Sequence, residues 1–187
     1  PAPDQRLIRV PAAAMGIHII IDGYNLIRRS RELGRLDRMD IARGREALIE
    51  RLARYRRIKP HRITVVFDGA GAPVLSPQRD RVKGIGVVFS RDGETADAVI
   101  GRMARQERAS AMVVSSDQAV ARSAQACGAA VIESAEFEAR LTMADALEGA
   151  DPAEEAPHGR RVSTRKKGEG RRLPKRLRQN RLRTAKL

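Results

Sequence analysis

The sequence predicts a three-layer α/β domain over residues 15–150, with a mostly parallel central sheet between helices. Five short apolar runs recur along the chain, and helical stretches of ten or more residues separate most of them. Strands that alternate with helices are joined by right-handed crossovers, which produce parallel pairing. Several runs also end in an aspartate, which places carboxylates at one edge of such a sheet.

The five apolar runs have the composition of buried strands. The first is almost unbroken from Gly16 to Ile21, and a turn signal of aspartate and glycine follows it. A run this rich in isoleucine is typical of a parallel strand that is buried on both faces. The other four predicted strands are Ile63–Gly69, which again ends in aspartate and glycine, Ile85–Ser90, Ala111–Ser115 and Ala129–Ile132.

Helices are predicted between these strands. Ile41–Arg57 has apolar residues at helical spacing, follows a capping Asp40 and ends before Lys59-Pro60. The remaining predicted helices are one that is entered through Arg91–Asp97 and ends near Arg108, one over Asp117–Cys127 and one over Glu136–Leu147. Two segments are predicted to be loops, the first with a short helical turn: Leu26–Arg38 and Ala70–Lys83.

Composition divides the chain into three parts. Of its 187 residues, 42% are hydrophobic, which is enough for one globular core. Residues 1–14 are expected to be an unstructured extension, and 151–187 a linker and a basic tail. Residues 158–187 hold 13 Lys and Arg against one acidic residue, so most of the net charge of +14 lies there. Basic tails of this kind favour polyanions such as RNA.

Composition also narrows the class of protein. No apolar run approaches the roughly 18 residues of a membrane span, and the N-terminal stretch lacks the apolar core of a secretory signal. A single cysteine, Cys127, excludes an intramolecular disulfide and fits a reducing compartment. The chain has no Gly-Lys-Ser/Thr phosphate-binding loop, so no nucleotide cofactor is expected.

Acidic residues fall at the predicted ends of several strands. Asp22, Asp68 and Asp117 each follow a strand, and Glu94 and Asp97 lie where the third strand passes into a helix. Parallel strands end at the same edge of a sheet, so these carboxylates should converge and raise one another's pKa. Glu94 and Asp97 would share a helix face. A divalent cation would relieve the repulsion, and all-oxygen ligands suit Mg²⁺ or Mn²⁺.

Each of these residues also has an ordinary structural explanation. An aspartate after a strand is most often a turn residue or a helix N-cap, and Asp117 precedes a predicted helix. Asp68 with the glycine after it is a common turn signal. Glu94 and Asp97 suit the first turn of a helix, where the helix dipole favours acids. The prediction of a metal site therefore depends on the coincidence of all these strand ends.

These motifs, in this order, resemble the YacP-like branch of the NYN domains, within the PIN-like nuclease superfamily. The resemblance covers Ile17–Leu147 and rests on Ile-Asp22-Gly-Tyr-Asn, Val-Phe-Asp68-Gly, Gly-Glu-Thr-Ala-Asp97 and Ser-Ser-Asp117. It implies a PIN-like fold and a Mg²⁺- or Mn²⁺-dependent ribonuclease of the bacterial cytoplasm. Some members are similar to ribosome-associated endonucleases that cut messenger RNA. The basic tail is expected to lie outside the family core.

The resemblance also implies roles for individual residues. The four aspartates would hold the metal, and one asparagine and one glutamate would support them. The predicted catalytic residues are Asp22, Asn25, Asp68, Glu94, Asp97 and Asp117. An acidic site repels RNA, so arginine and lysine side chains and one aromatic ring outside the acidic cluster are expected to bind the RNA. The predicted RNA-binding residues are Tyr24, Arg28, Arg29, Arg165, Lys166, Lys167, Arg171, Arg172, Lys175 and Arg176.

Two other functions remain open from the sequence. In the first, the protein binds RNA or the ribosome through its basic tail and does not catalyse a reaction. In the second, a similar sheet hydrolyses small phosphate esters and does not need the tail. Loss of function on removal of the tail, with Asp22→Asn still active, would favour the first. Cleavage of generic phosphate esters would favour the second.

Overall fold

The central element of the computed structural model, which describes residues 16–69, 78–91 and 93–149, is a six-stranded sheet. The strands are β1 (His18–Asp22), β2 (Arg62–Phe67), β3 (Arg79–Val82), β4 (Ile85–Phe89), β5 (Ala111–Val114) and β6 (Ala130–Ile132). Their order is β3-β4-β2-β1-β5-β6, and all neighbours are parallel except β3 and β4. The predicted α/β fold with a mostly parallel sheet is confirmed.

Helices cover both faces of the sheet. They are α1 (Gly23–Arg29), α2 (Arg31–Met39), α3 (Ile41–Ile58), α4 (Ala96–Glu107), α5 (Gln118–Ala126) and α6 (Ser134–Gly149). Side chains alternate along β1, so that Ile19 and Ile21 join the core under α1, α2, α3 and α6, and Ile20 joins the core under α4 and α5. No helix within the described ranges is both long and apolar enough to cross a membrane.

Both predicted loops contain regular structure where the structure describes them, so the predictions were wrong there; residues 70–77 of the second loop lie outside the described residues. Leu26–Arg38 lies within α1 and α2, which are separated by Ser30; its hydroxyl oxygen accepts a hydrogen bond from the nitrogen of Leu33 (3.3 Å). Both helices are too short for a clear periodic pattern, and tertiary packing stabilises them. Residues 79–82 form the edge strand β3, whose charged side chains hide the alternation expected of a strand.

The junction of β1 with α1 depends on a close approach. Gly23 is the first residue of α1 rather than part of a turn, and a Cβ atom there would lie 2.3 Å from Cε1 of Phe67. Only glycine therefore lets α1 begin directly against β2. This junction places Asp22, Tyr24 and Asn25 at the carboxyl edge of the sheet.

A buried arginine holds α6 in place. Arg51 of α3 is buried, and it donates from Nη1 to Oε1 of Glu138 (2.7 Å) and from Nε to Oδ2 of Asp145 (2.8 Å). These charge-assisted bonds bind α6 to α3. They thereby fix the start of α6, where Ser134 lies beside the carboxyl edge of the sheet.

Candidate active site

Asp22 occupies the end of the central strand. Only 9% of the residue is exposed, and both carboxylate oxygens accept hydrogen bonds. Oδ1 accepts from the backbone nitrogen of Asn25 (3.2 Å), which caps α1, and Oδ2 accepts from Oγ of Ser115 (3.2 Å). The same Ser115 hydroxyl oxygen accepts from the backbone nitrogen of Asp117 (3.1 Å). One buried hydroxyl therefore connects the acidic ends of β1 and β5.

Asn25 is held in a single orientation. Its Oδ1 accepts from the backbone nitrogen of Ser116 (2.9 Å) and from Oγ of Ser134 (2.7 Å). A backbone N–H can only donate, so the atom that faces Ser116 is the amide oxygen. Because that oxygen is occupied, Asn25 is left to offer its NH₂ group to the pocket that it lines. Asn25 therefore presents a hydrogen-bond donor, which suits a phosphate oxygen better than a cation.

The other aspartates reach the same pocket from three elements. Asp97 lies in the first turn of α4, and Asp68 directly follows β2. Asp117 caps α5, because its Oδ1 accepts from the nitrogen of Ala119 (2.6 Å). The four residues Asp22, Asp68, Asp97 and Asp117 line one cavity of about 780 Å³. The capping role of Asp117 and its place in the pocket therefore occur together.

The pKa values of two aspartates in this pocket are both raised. Burial raises the pKa of the Asp22 carboxyl, and the nearby carboxylates of Asp97 and Asp117 raise it further; the hydrogen bonds from Asn25 and Ser115 partly oppose this. Partial burial and then the charges of Asp117 and Asp68 raise the pKa of Asp97. Carboxylates that raise one another's pKa repel each other, and a bound positive charge would relieve this repulsion.

The donor atoms of this pocket fit a hard cation in kind. Every candidate ligand is a carboxylate oxygen, the type that Mg²⁺ and Mn²⁺ prefer. Asp37 of α2 also lines the pocket, and its buried Oδ1 has no hydrogen-bond partner among the described residues. Within that part of the chain, however, no three His, Cys, Asp or Glu side chains are close enough to hold an ion. The candidate ligands therefore line one pocket, but among the described residues no three of them are close enough to coordinate one ion together.

Three predicted RNA-binding residues also line the acidic pocket. Arg28 and Arg29 are exposed there, and the guanidinium carbon of Arg28 lies 5.9 Å from the ring centroid of Tyr24. The Tyr24 ring packs edge-on against Phe67, with centroids 5.1 Å apart, and its hydroxyl accepts from Nη1 of Arg45 (3.1 Å). Tyr24 therefore both lines the pocket and supports the packing of α1 against the sheet.

Glu94 lies apart from the aspartates. Helix α4 begins at Ala96 with Thr95 as its N-cap, so Glu94 precedes the helix, and the prediction that it shares a helix face with Asp97 was wrong. Its carboxylate pairs with Arg102, a bond that lowers the pKa of Glu94, and it lines a different pocket. The sequence did not reveal this because the capping threonine sets where the helix starts.

Sequence reasoning missed three residues of the site. Asp37 lay in a segment predicted as a loop, although it lines the acidic pocket from α2. Ser115 and Ser134 hold Asp22 and Asn25 through bonds between residues 93 and 109 positions apart. The one local hint was that Ser115 stands two residues before Asp117; nothing near Ser134 in the sequence pointed to the site. The predicted tail residues, from Arg165 to Arg176, lie outside the described residues, as do residues 1–15 and 150–187.

A family model matches most of the chain. The model of the YacP-like NYN domain matches residues 19–184. The match extends well past Leu147 and includes most of the basic tail. The expectation that the tail lies outside the family pattern was therefore wrong.

Individual relatives agree with this match. The YacP protein of Bacillus subtilis (strain 168) is 30% identical over 87 residues, which is 46% of this chain and 51% of that protein. The alignment therefore spans about half the length of that relative. The crystal structure of YacP (Rae1) from Bacillus subtilis has a TM-score of 0.60 at 25% identity and covers 72% of this chain and 78% of that one.

A second crystal structure, of a single-substitution variant of the same Bacillus subtilis protein, shows the same fold. Its TM-score is 0.58 at 23% identity, with 70% of this chain and 77% of that chain covered. The family model matches far more than half of the chain, and both crystal structures share its fold. The chain belongs to the YacP-like NYN domain family, which has a PIN-like nuclease fold.

Proposed function

We propose that this protein is a Mg²⁺- or Mn²⁺-dependent ribonuclease that cuts messenger RNA internally in the bacterial cytoplasm, at the ribosome. The main support is that four aspartates from different elements line one pocket together with two exposed arginines. Carboxylates supply oxygen ligands for a cation, and guanidinium groups attract phosphates into an otherwise repulsive site. Family membership supports the same reaction class.

In this proposal the chain positions the substrate around a cation site. Asp22, Asp97 and Asp117, with Asp68 directly or through water, would hold one or two metal ions. A bound ion would supply an activated water and stabilise the charge on the phosphorus and the leaving oxygen. The NH₂ group of Asn25 donates to a phosphate oxygen, since its own oxygen is bonded to Ser116 and Ser134. Arg28 and Arg29 hold a neighbouring phosphate.

One observation favours a second candidate, a protein that binds RNA or the ribosome without cutting it. Within the described residues the carboxylates do not form a ready group of three metal ligands. The tail, with 13 basic residues against one acidic residue, would then account for binding.

Cleavage of a labelled single-stranded RNA separates the two candidates. We expect the wild type to cut in Mg²⁺ or Mn²⁺ and not in EDTA, and Asp22→Asn and Asp97→Asn to lose this activity. Asp80→Asn is the matched control, because Asp80 is an exposed aspartate on β3 outside the acidic pocket. A folded wild type that binds RNA but cuts neither free RNA nor messages on translating ribosomes would support the binder instead.

A further inference from the structure

A second pocket lies beside the acidic one. Its volume is about 920 Å³, large enough for a nucleotide. Thr95 and Ala98 line this second pocket, while Ala96 and Asp97 line the acidic pocket. Thr95 is the N-cap of α4 and the other three residues form its first turn, so the start of this helix forms a wall between the two pockets.

Three guanidinium groups converge on the second pocket, which we call the arginine pocket. Arg79 comes from β3, Arg91 follows β4, and Arg102 comes from α4. Arg91 donates from Nε to Oε1 of Gln78 (2.9 Å), and Arg102 pairs with Glu94. Among the described lining residues, three positive charges therefore face one negative charge. The surplus gives this pocket the opposite sign to its acidic neighbour.

We propose that the arginine pocket binds phosphate groups of the RNA strand on one side of the cleaved bond. This inference rests on the proposed ribonuclease function. Arg28 and Arg29 belong to α1, which packs on the face of the sheet opposite to α4. An RNA strand that crosses the acidic pocket toward α4 therefore needs a further source of positive charge on that side. Arginine forks match phosphate oxygens in geometry, and three of them stand next to the α4 turn that carries Asp97.

The pocket is built to bind the backbone rather than a base. Its aromatic residue, Phe89, already stacks on Phe67 with ring centroids 5.7 Å apart, and the guanidinium carbon of Arg45 lies 5.6 Å from its ring centroid. Phe89 is therefore packed into the fold and is not offered as a stacking platform. Binding through the arginines should depend on salt and length and show little dependence on sequence.

Protection of the sheet edge does not explain the cluster. Charged side chains on the edge strand β3 prevent pairing with other molecules, which accounts for Arg79 and Arg81. Arg91 and Arg102 do not belong to that edge strand, yet they face the same pocket as Arg79. Their convergence from three elements therefore indicates a ligand of negative charge.

The first test measures RNA binding without cleavage. The full chain binds a fluorescent single-stranded RNA of roughly a dozen nucleotides in EDTA over a series of salt concentrations. We expect Arg79→Gln/Arg91→Gln to weaken binding about tenfold and to reduce the slope of log K against log salt by about 1.4, near 0.7 for each phosphate that is no longer neutralised. Because EDTA prevents cleavage, this result does not depend on whether the protein is a nuclease.

The matched control removes the same charge from the opposite edge of the sheet. Arg105 and Arg108 are exposed at the far end of α4, outside both pockets. Arg105→Gln/Arg108→Gln should weaken binding by less than about twofold, as loss of diffuse charge. Equal decreases in affinity and slope for the two double variants would overturn the proposal.

A local test is independent of the basic tail. Phenylglyoxal modifies accessible guanidinium groups, and mass spectrometry reports each modified arginine. Saturating RNA should protect Arg79 and Arg91 several-fold and leave Arg105 unchanged. Equal modification of all three with and without RNA would overturn the arginine pocket as a binding site. Metal-dependent cleavage with unprotected arginines would leave the ribonuclease proposal intact. Protection without cleavage of free RNA or of messages on translating ribosomes would overturn the ribonuclease proposal and keep the arginine pocket only as an RNA-binding site.

Discussion

The two ends of β1 show how differently one strand treats buried polar residues. At its start, His18 is buried and donates or accepts through both ring nitrogens, 2.9 Å from Oγ1 of Thr64 and 3.1 Å from Oε1 of Glu107. Glu107 is in turn paired with Arg62 (3.0 Å). At its end, Asp22 meets the charges of further aspartates. At the start of β1 the buried polar side chain has hydrogen-bonding partners and the charges around it are paired, so we call this the compensated end. At the other end the charge of Asp22 faces like charges, so we call this the uncompensated end.

The difference separates structural from functional polarity. Burial, and then the charge of Arg62, lowers the pKa of His18, while Glu107 opposes this shift. The group can remain neutral and hydrogen-bonded, which stabilises the fold. Burial and like charges both raise the pKa of Asp22, and what opposes them is two hydrogen bonds from neutral groups. A charge conflict that the fold does not resolve is typical of a binding or catalytic site.

The largest expected effect concerns activity at the uncompensated end. Asp22→Asn and Asp97→Asn should each lower RNA cleavage by at least about a hundredfold, because each removes a charge from the proposed cation site. His18→Gln, at the compensated end, should stay within about threefold of the wild type. Initial rates in Mn²⁺ measure both. A His18→Gln loss as large as that of Asp22→Asn would break the comparison.

Stability should respond with opposite signs at the two ends. Asp22→Asn should raise the free energy of unfolding by about 1 kcal/mol at pH 7, because asparagine still caps α1 and buries no charge. His18→Ala should lower it by about 2 kcal/mol, because it leaves the hydroxyl of Thr64 and the carboxylate of Glu107 without this partner. Urea unfolding in EDTA measures both. A destabilised Asp22→Asn protein would show that its carboxylate serves the fold.

Two buried hydroxyls sharpen the contrast further. Ser134→Ala should lower cleavage about tenfold, because Asn25 loses the bond that holds its amide toward the pocket. Thr64→Val should leave cleavage within about twofold and lower stability by about 1 kcal/mol. Salt-dependent RNA affinity in EDTA should not change for either variant. If Ser134→Ala lost only stability, Ser134 would have no positioning role.

The smallest expected effect is a pair of opposed pH dependences, each of about 1 kcal/mol or less. The pKa of His18 is lowered in the folded protein, so its contribution is complete above pH 6.5 and is lost as the pH falls below that value. The pKa of Asp22 is raised, so the folded state becomes less stable as the pH rises above 3.8.

Unfolding measured against pH in EDTA tests this pair. His18→Gln should remove part of the stability loss below pH 6.5, and Asp22→Asn should make that loss steeper. The second effect follows because protonation of Asp22 no longer relieves the folded state in acid. Identical pH profiles for the two variants would contradict the assignment of opposite signs.

Much of the site followed from local sequence. The apolar run before Asp22 and the run before Asp68 each predicted a strand, and both residues lie at the pocket. The prediction that Glu94 shares a helix face with Asp97 was wrong because the helix starts two residues after Glu94. The hydroxyl of Thr95 caps the helix and accepts from the nitrogen of Ala98, so α4 begins at Ala96. Helix α2 was predicted as part of a loop because a helix this short is stabilised mainly by tertiary packing, and local sequence does not show that packing.

The α/β class and the edge that collects the acids follow from the chain alone, because the length of an apolar run and the residue after it are local properties. The partners of those acids were decided only by folding. Ser115 reaches Asp22 across 93 positions, and Ser134 reaches Asn25 across 109. Such pairs depend on the order of strands in the sheet and on where α6 docks, and these arise from packing of the whole core rather than from any neighbourhood in sequence.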